Sequence, residues 1–238
     1  MVIVGLSEAL LTLELVLLVV TIYLLLTSIR EARGRSHLID QLMRATRTFS
    51  RAEYFTAVQE AVGEAASYIY AAVTGTPPKE DELEIIERLL RQFARASKAG
   101  VKLRFILPKD PDRLMMGQKY KRAGGDVKYN PSILFSDMRH MVVDDCVAVL
   151  GFPERSGLKE PTRKGYKIYS EGVSLMFKEK FENLWESPSS IDYDSYLKNI
   201  MEEATANEPG ISDERLALLL KLPIEEIRRI KHKNRRLN

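Results

Sequence analysis

The sequence predicts an α/β domain with a mixed sheet, preceded by one membrane-spanning helix and followed by a small helical module. Three patterns predict it. Residues 1–29 carry only Glu8 and Glu14 as charges. Residues 51–187 alternate between period-two runs and apolar residues spaced three and four apart, the signature of strands interleaved with helices. Beyond the linker Ser187-Pro-Ser-Ser190 only helical patterns remain. The expected boundaries are an anchor at 1–29, a basic helical stalk at 30–50, the α/β domain at 51–187 and the helical module at 188–238.

Composition narrows the function classes. With 45% hydrophobic and 29% charged residues, the chain has the means to bury a core. A net charge of +3 is too mild to imply nucleic acid by itself, so local clusters matter more. The single cysteine, Cys146, excludes an internal disulfide framework and fits a reducing compartment. It sits at the head of an apolar run and is expected to be a buried structural thiol. Three histidines and one cysteine leave a zinc site almost without ligands, and neither a metal nor a cofactor is expected.

The anchor comes first. Apart from Thr21, Tyr23, Thr27 and Ser28, residues 15–29 are uninterrupted apolar chain. A helix over 10–29 is about 30 Å long, which matches the hydrocarbon core of a bilayer. A cleaved signal peptide fits less well: the run is too long, no basic segment precedes it and no small-x-small site follows it. Six arginines lie between Ile29 and Ala52 against Glu31 and Asp40. Positive flanks stay inside, which puts the amino terminus outside and the remaining chain in the cytoplasm of a single-pass protein. Glu14 would lie below the outer interface, either snorkelling outward or making a polar contact between anchor helices.

In the stalk, Leu38, Ile39, Leu42 and Met43 share a helical face, and anionic headgroups would attract its arginines. Ser50 is a candidate N-cap for a helix over 51–65 with Phe55, Val58 and Val62 inward. A β-rich run over 67–74 ends in Gly75 to Pro78. Leu83, Ile86, Leu89, Leu90 and Phe93 define a helix over 81–97 that stops at Gly100. Residues 101–107 alternate as a strand, 110–122 read as a helix ending at Gly124-Gly125, and 126–129 form a short strand. Two strands, 139–143 and 147–152, join through Asp144-Asp145. A strand over 167–170 and a helix over 171–185 with Leu175, Phe177, Phe181 and Leu184 inward complete the domain.

Several of these segments together resemble one repeat of the phospholipase D superfamily. They are the helix–strand opening at 58–73, Ala-Gly-Val-Lys-Leu-Arg-Phe-Ile-Leu-Pro at 99–108, Gly-Gly-Asp-Val-Lys-Tyr-Asn at 124–130, and Met-Val-Val-Asp-Asp at 141–145 leading to Val-Leu-Gly at 149–151. Phe177-x-x-x-Phe181-x-x-Leu-Trp185 closes the set. The resemblance spans about residues 52–187 and implies that family's mixed-sheet fold. The family motif, His-x-Lys-x4-Asp followed by Gly-Ser-x-Asn, is degenerate in this chain. Asp144 keeps the aspartate position, Arg139 stands at the lysine and Asp137 at the histidine. Gly151 keeps the glycine, with Phe152 for the serine and Glu154 for the asparagine. The family's histidine attacks phosphorus. A carboxylate at that position repels a phosphodiester, although Arg139 could still grip a phosphate. The resemblance therefore implies a scaffold or ligand sensor that has lost phosphodiester hydrolysis, with a divergent phosphodiesterase (nuclease or phospholipase) as the alternative. Asp137 and Arg139, on one strand face, read either as a salt bridge or as an anion pocket; His140 points to the other face. The family joins two repeats in one site, so a homodimer is implied.

In the carboxyl-terminal module, helices are expected over 191–204, 212–220 and 223–233, with Ser212 as a cap and Pro223 in a first turn. The run 211–230 is similar to helix-turn-helix modules of bacterial and archaeal regulators, with Leu216, Leu219, Leu222, Ile227 and Ile230 as its core. From Ile224 to Asn238 six Lys/Arg face two Glu, making Arg228, Arg229 and Lys231 nucleic-acid-binding candidates. The competing reading is an appendage that packs on the main domain or touches lipid headgroups.

Overall fold

The structure, a computed structural model, describes residues 46–48, 51–78, 80–133, 138–153 and 162–235. The anchor at 1–29 and most of the stalk lie outside them. Among the described residues no helix is long and apolar enough to cross a membrane. Ala45–Asn238 form one compact unit.

That unit is built on an eight-stranded mixed sheet in the order β1-β7-β6-β5-β2-β3-β4-β8. The strands are β1 (Thr46–Thr48), β2 (Tyr68–Ala72), β3 (Lys102–Pro108), β4 (Asp126–Asn130), β5 (Arg139–Val143), β6 (Val147–Pro153), β7 (Thr162–Tyr169) and β8 (Ile191–Asp192). Strands β2, β3 and β4 are parallel, and every other pairing is antiparallel. The parallel pairs need crossovers, which α2 (Leu83–Lys98) and α3 (Leu114–Arg122) supply.

Period-two alternation sorts the sheet's side chains between two cores. Ile69, Ala71, Leu103, Phe105, Val127, Met141, Val143 and Val149 face the larger one, with α1 (Arg51–Gly63), α2 and α3. Tyr70, Ala72, Ile106, Val142, Ala148 and Ile168 face α4 (Glu171–Glu186), whose Phe177, Phe181 and Trp185 cover that side. Helix α3 lies close over β4: a Cβ on Gly117 would meet the Tyr129 hydroxyl at 2.0 Å.

Five expectations are corrected. The stalk was expected to remain helical to residue 50, yet Thr46–Thr48 pairs with Lys167–Gly165 as an edge strand. Two β-branched threonines beside the open edge of β7 favour that pairing over a further helical turn. The described residues 188–235 do not stand apart as a module but pack on the main domain. Strand β8 pairs with β4, and α5 (Tyr193–Asn207) buries Tyr193, Tyr196, Leu197 and Met201 in the larger core beside Tyr129. Helices α6 (Asp213–Leu220) and α7 (Ile224–Arg235) add Leu216, Leu222, Ile227 and Ile230 to the same core, whereas Leu219 is exposed. Strand β7 begins at Thr162, five residues earlier than the period-two signal, because β6 offers it a partner along its whole length. Finally, Cys146 is exposed, since it closes a turn and the buried run starts only at Val147.

Candidate functional site

A polar cleft lies where the parallel strands end. Ligands of open α/β sheets gather at that edge, because the chain there leaves the sheet in loops. After β2 the chain runs through Thr74, buried at 5% exposure, and Gly75, whose φ of +59° places it where other residues are strained. The Thr74 and Thr76 hydroxyls are 3.1 Å apart. Strand β5 runs antiparallel to β2 with His140 opposite Ala72, so Arg139 enters beside this loop. After β4, Asn130 accepts from the Ser132 N–H at 2.7 Å and donates to Ser190 Oγ at 2.9 Å, fixing the loop that carries Ser132 and Ile133. Helix α4 contributes Lys180 and Leu184. Together these residues enclose a cleft of about 250 Å³, which continues past Ser132, Lys180 and Leu184 into a more open hollow.

Arg139 and His140 both line the cleft from opposite faces of the sheet. Arg139 stands on the α1–α3 side, near Tyr54 and Tyr120. Burial pushes the Tyr120 hydroxyl up, with the guanidinium opposing that shift. His140 stands on the α4 side, 2% exposed, with its ring centroid 5.2 Å from that of Phe177. Burial first, then Lys180, pushes its imidazole down to about 4, so it is neutral at ordinary pH. The cleft lining thus carries Arg139 from one face, Lys180 from the other, the Thr74 hydroxyl and a neutral ring, a set that favours an anion electrostatically.

The other motif positions separate. Asp137 and Glu154 lie outside the described residues, so the pairing of Asp137 with Arg139 does too. Gly151 is paired with Arg139 across the sheet, and Phe152 stacks edge-on against Tyr166. Asp144 lies at the far end of β5, five residues of extended chain or about 17 Å from Arg139. It and Asp145 form a two-residue hairpin turn with φ of +49° and +55°, closed by the Cys146 N–H donating to Val143 O at 3.0 Å. Its carboxylate accepts from the N–H groups of Ala66, Ser67 and Tyr68 at 2.5, 2.9 and 2.7 Å. The Tyr68 hydroxyl and Lys178 hold Asp145. Asp144 is therefore a turn-stapling group and takes no part in the cleft.

Sequence reading overlooked Lys180 and Thr74. Lys180 carried a signal: a cation between Phe177, Phe181 and Leu184 interrupts the inward face of α4, which makes it a candidate for a cavity wall. Thr74 carried none beyond preceding a glycine.

The carboxyl-terminal cations are drawn into ion pairs. Arg228 meets Asp213 at 3.6 Å and Glu214 at 3.4 Å, while Lys231 meets Asp213 at 2.5 Å. Arg229 donates to Asp194 and Glu226, each at 2.7 Å. Asp194 also accepts from Lys121 and from Lys233. Burial raises the Asp194 carboxyl, but the hydrogen bonds from these three cations outweigh it and hold the group far below the usual carboxylate range. Among the described residues, no His, Cys, Asp and Glu group is placed to hold a metal ion.

No protein-family model matches the chain, and no curated protein matches it. Solved structures resemble part of the chain at low identity. Nuc from Salmonella typhimurium, a phospholipase D family member, is 13% identical over 63% of this chain and 97% of that one, with a TM-score of 0.47. Phosphatidylserine synthase from Haemophilus influenzae Rd KW20 is 13% identical over 64% of this chain and 39% of that one, with a TM-score of 0.46. TrmBL2, an archaeal chromatin protein, is 19% identical over 68% of this chain and 62% of that one, with a TM-score of 0.45.

Proposed function

We propose that this chain is a membrane-anchored, phospholipase-D-like domain that binds a phosphate-bearing ligand on the cytoplasmic side without cleaving it, as a sensor or scaffold. The observation that carries the reading is the pairing of cations with a withheld nucleophile. Arg139 and Lys180 line the same cleft as the Thr74 loop, whereas the one histidine there is buried against Phe177. Displacement at phosphorus needs an accessible nucleophile oriented by a base or carboxylate, and His140 has neither access nor such a neighbour in the cleft lining. Binding needs only the fork of Arg139 and the point charge of Lys180. The bilayer anchor at 10–29, the orientation and a homodimer belong to the same proposal and rest on the sequence.

DNA reading through α7 ranks below it, because Arg228, Arg229 and Lys231 are already committed to Asp213, Glu214, Asp194 and Glu226. The test is turnover of bis(4-nitrophenyl) phosphate by the full chain. No release above buffer is expected. Turnover that disappears in Arg139→Ala would overturn the non-catalytic reading and make the chain a phosphodiesterase.

A further inference from the structure

We infer that the face built by α3 and the α6–α7 corner docks on an anionic lipid surface. Helix α6 buries Leu216, Ala217 and Leu220, which leaves Leu218 and Leu219 projecting at 81% and 61% exposure. Adjacent leucines that exposed are costly in water and have no role in the core. Leu218 forms one wall of a shallow hollow of about 740 Å³, which Met115, Leu222 and Ile224 line with further apolar surface. Lys119, Arg122 and Lys221 stand around it, against Glu214 as the one acidic lining residue. Lys221 makes a 3.4 Å contact with exposed Asp112, and Lys119 and Arg122 form no ion pair with a described residue. They contrast with the neighbouring Lys121 and Arg229, which Asp194 holds.

Projecting apolar knobs beside exposed cations, of which only Lys221 meets a carboxylate, fit a bilayer interface. Leucines enter the acyl boundary while lysine and arginine heads remain at the level of anionic headgroups. A nucleic acid would leave the leucines against phosphates, so it suits the cations only. The charge pattern is therefore complementary to an anionic membrane, and a chain tethered to a bilayer meets that surface at high effective concentration. None of these residues belongs to the Arg139 cleft, so the inference rests on the proposed membrane anchor but not on ligand binding in the cleft.

The experiment uses the full chain carrying Cys146→Ser and Leu218→Cys, labelled at 218 with an environment-sensitive NBD fluorophore. It is reconstituted through its anchor into phosphatidylcholine vesicles, with and without phosphatidylserine. A blue shift and gain in emission are expected with phosphatidylserine, falling as salt is added. A label at Glu171→Cys, on the other side of the sheet, should not respond. Reversal of Lys119 and Arg122 to Glu should lower the docked population about fivefold per cation, with the thermal midpoint unchanged. Equal emission with both vesicles, or a gain that survives charge reversal, would overturn the inference. So would a gain without vesicles that rises with protein concentration, which would make the face a contact between two copies, or one produced by duplex DNA alone.

Discussion

Replacing Asp144 tests whether the surviving aspartate of the motif is a structural staple or part of the site. Asp144→Ala removes the acceptor of three backbone N–H groups and leaves alanine at φ +49°. The bond to Tyr68 N is half-buried and charge-assisted, so its loss costs about 1.5 kcal/mol. The bonds to Ala66 and Ser67 are exposed, and water takes them over at about 0.5 kcal/mol each. Holding alanine in the left-handed region adds about 1 kcal/mol. The expected loss is about 3.5 kcal/mol, a fall of roughly 7–14 °C in the thermal midpoint for a domain of this size. Asp144→Gly, which tolerates that φ, should lose about 1 kcal/mol less. Urea unfolding by circular dichroism gives both values, and phosphate affinity should remain unchanged in the folded variants. A midpoint within 2 °C of wild type would refute the staple, as would abolished phosphate binding with stability intact.

His140 and Asp194 make distinct acid limbs. The His140 imidazole is about 4 in the folded chain and near its ordinary 6.5 when unfolded, so stability is full above pH 6.5 and declines as pH falls toward 4. The loss is about 3 kcal/mol, and His140→Leu should flatten that window in urea titrations at a series of pH values. Asp194 is depressed below its unfolded value, so its contribution is full above about pH 4 and lost at lower pH; Asp194→Asn should cost about 2 kcal/mol at pH 7 and remove that lower limb. Lys167 is buried and paired with exposed Glu60 and Glu64 at 3.2 and 2.8 Å. Lys167→Met should cost about 1 kcal/mol or less, since the glutamates return to water, whereas Glu60→Ala with Glu64→Ala strands a buried cation and should cost about 3 kcal/mol by chemical denaturation.

Period-two and helical spacings were readable in most elements long enough to bury a face, the first half of β7 being an exception. Strand β3 and helices α2 and α4 lie within a residue or two of where Leu103, Phe105, Leu89, Phe93 and Phe177 place them. Elements held by a neighbour were not readable. Thr46–Thr48 and Ile191–Asp192 are too short to show a period and exist because β7 and β4 have open edges. A serine- and proline-rich linker before residue 191 suggested a boundary, but Tyr193 and Leu197 belong to the main core, which only the fold reveals. In the site, Arg139 was legible from its register with Asp144, whereas Lys180 showed only as a cation interrupting the inward face of α4, with nothing to tie it to a strand forty residues earlier. Ion pairs such as Lys121–Asp194, 73 residues apart, carry no local signal at all. They are why the basic tail read as a nucleic-acid surface and folds as a clasp.

The most direct test of the cleft is calorimetric titration of inorganic phosphate into the full chain, its Arg139→Gln variant and its Lys180→Gln variant. Saturable binding is expected in the wild type, weakened about tenfold or more in each variant, since a charge-assisted contact is worth roughly 1.5–3 kcal/mol. Phosphate heats indistinguishable among the three proteins, or absent from the wild type, would contradict the assignment of that cleft to an anion.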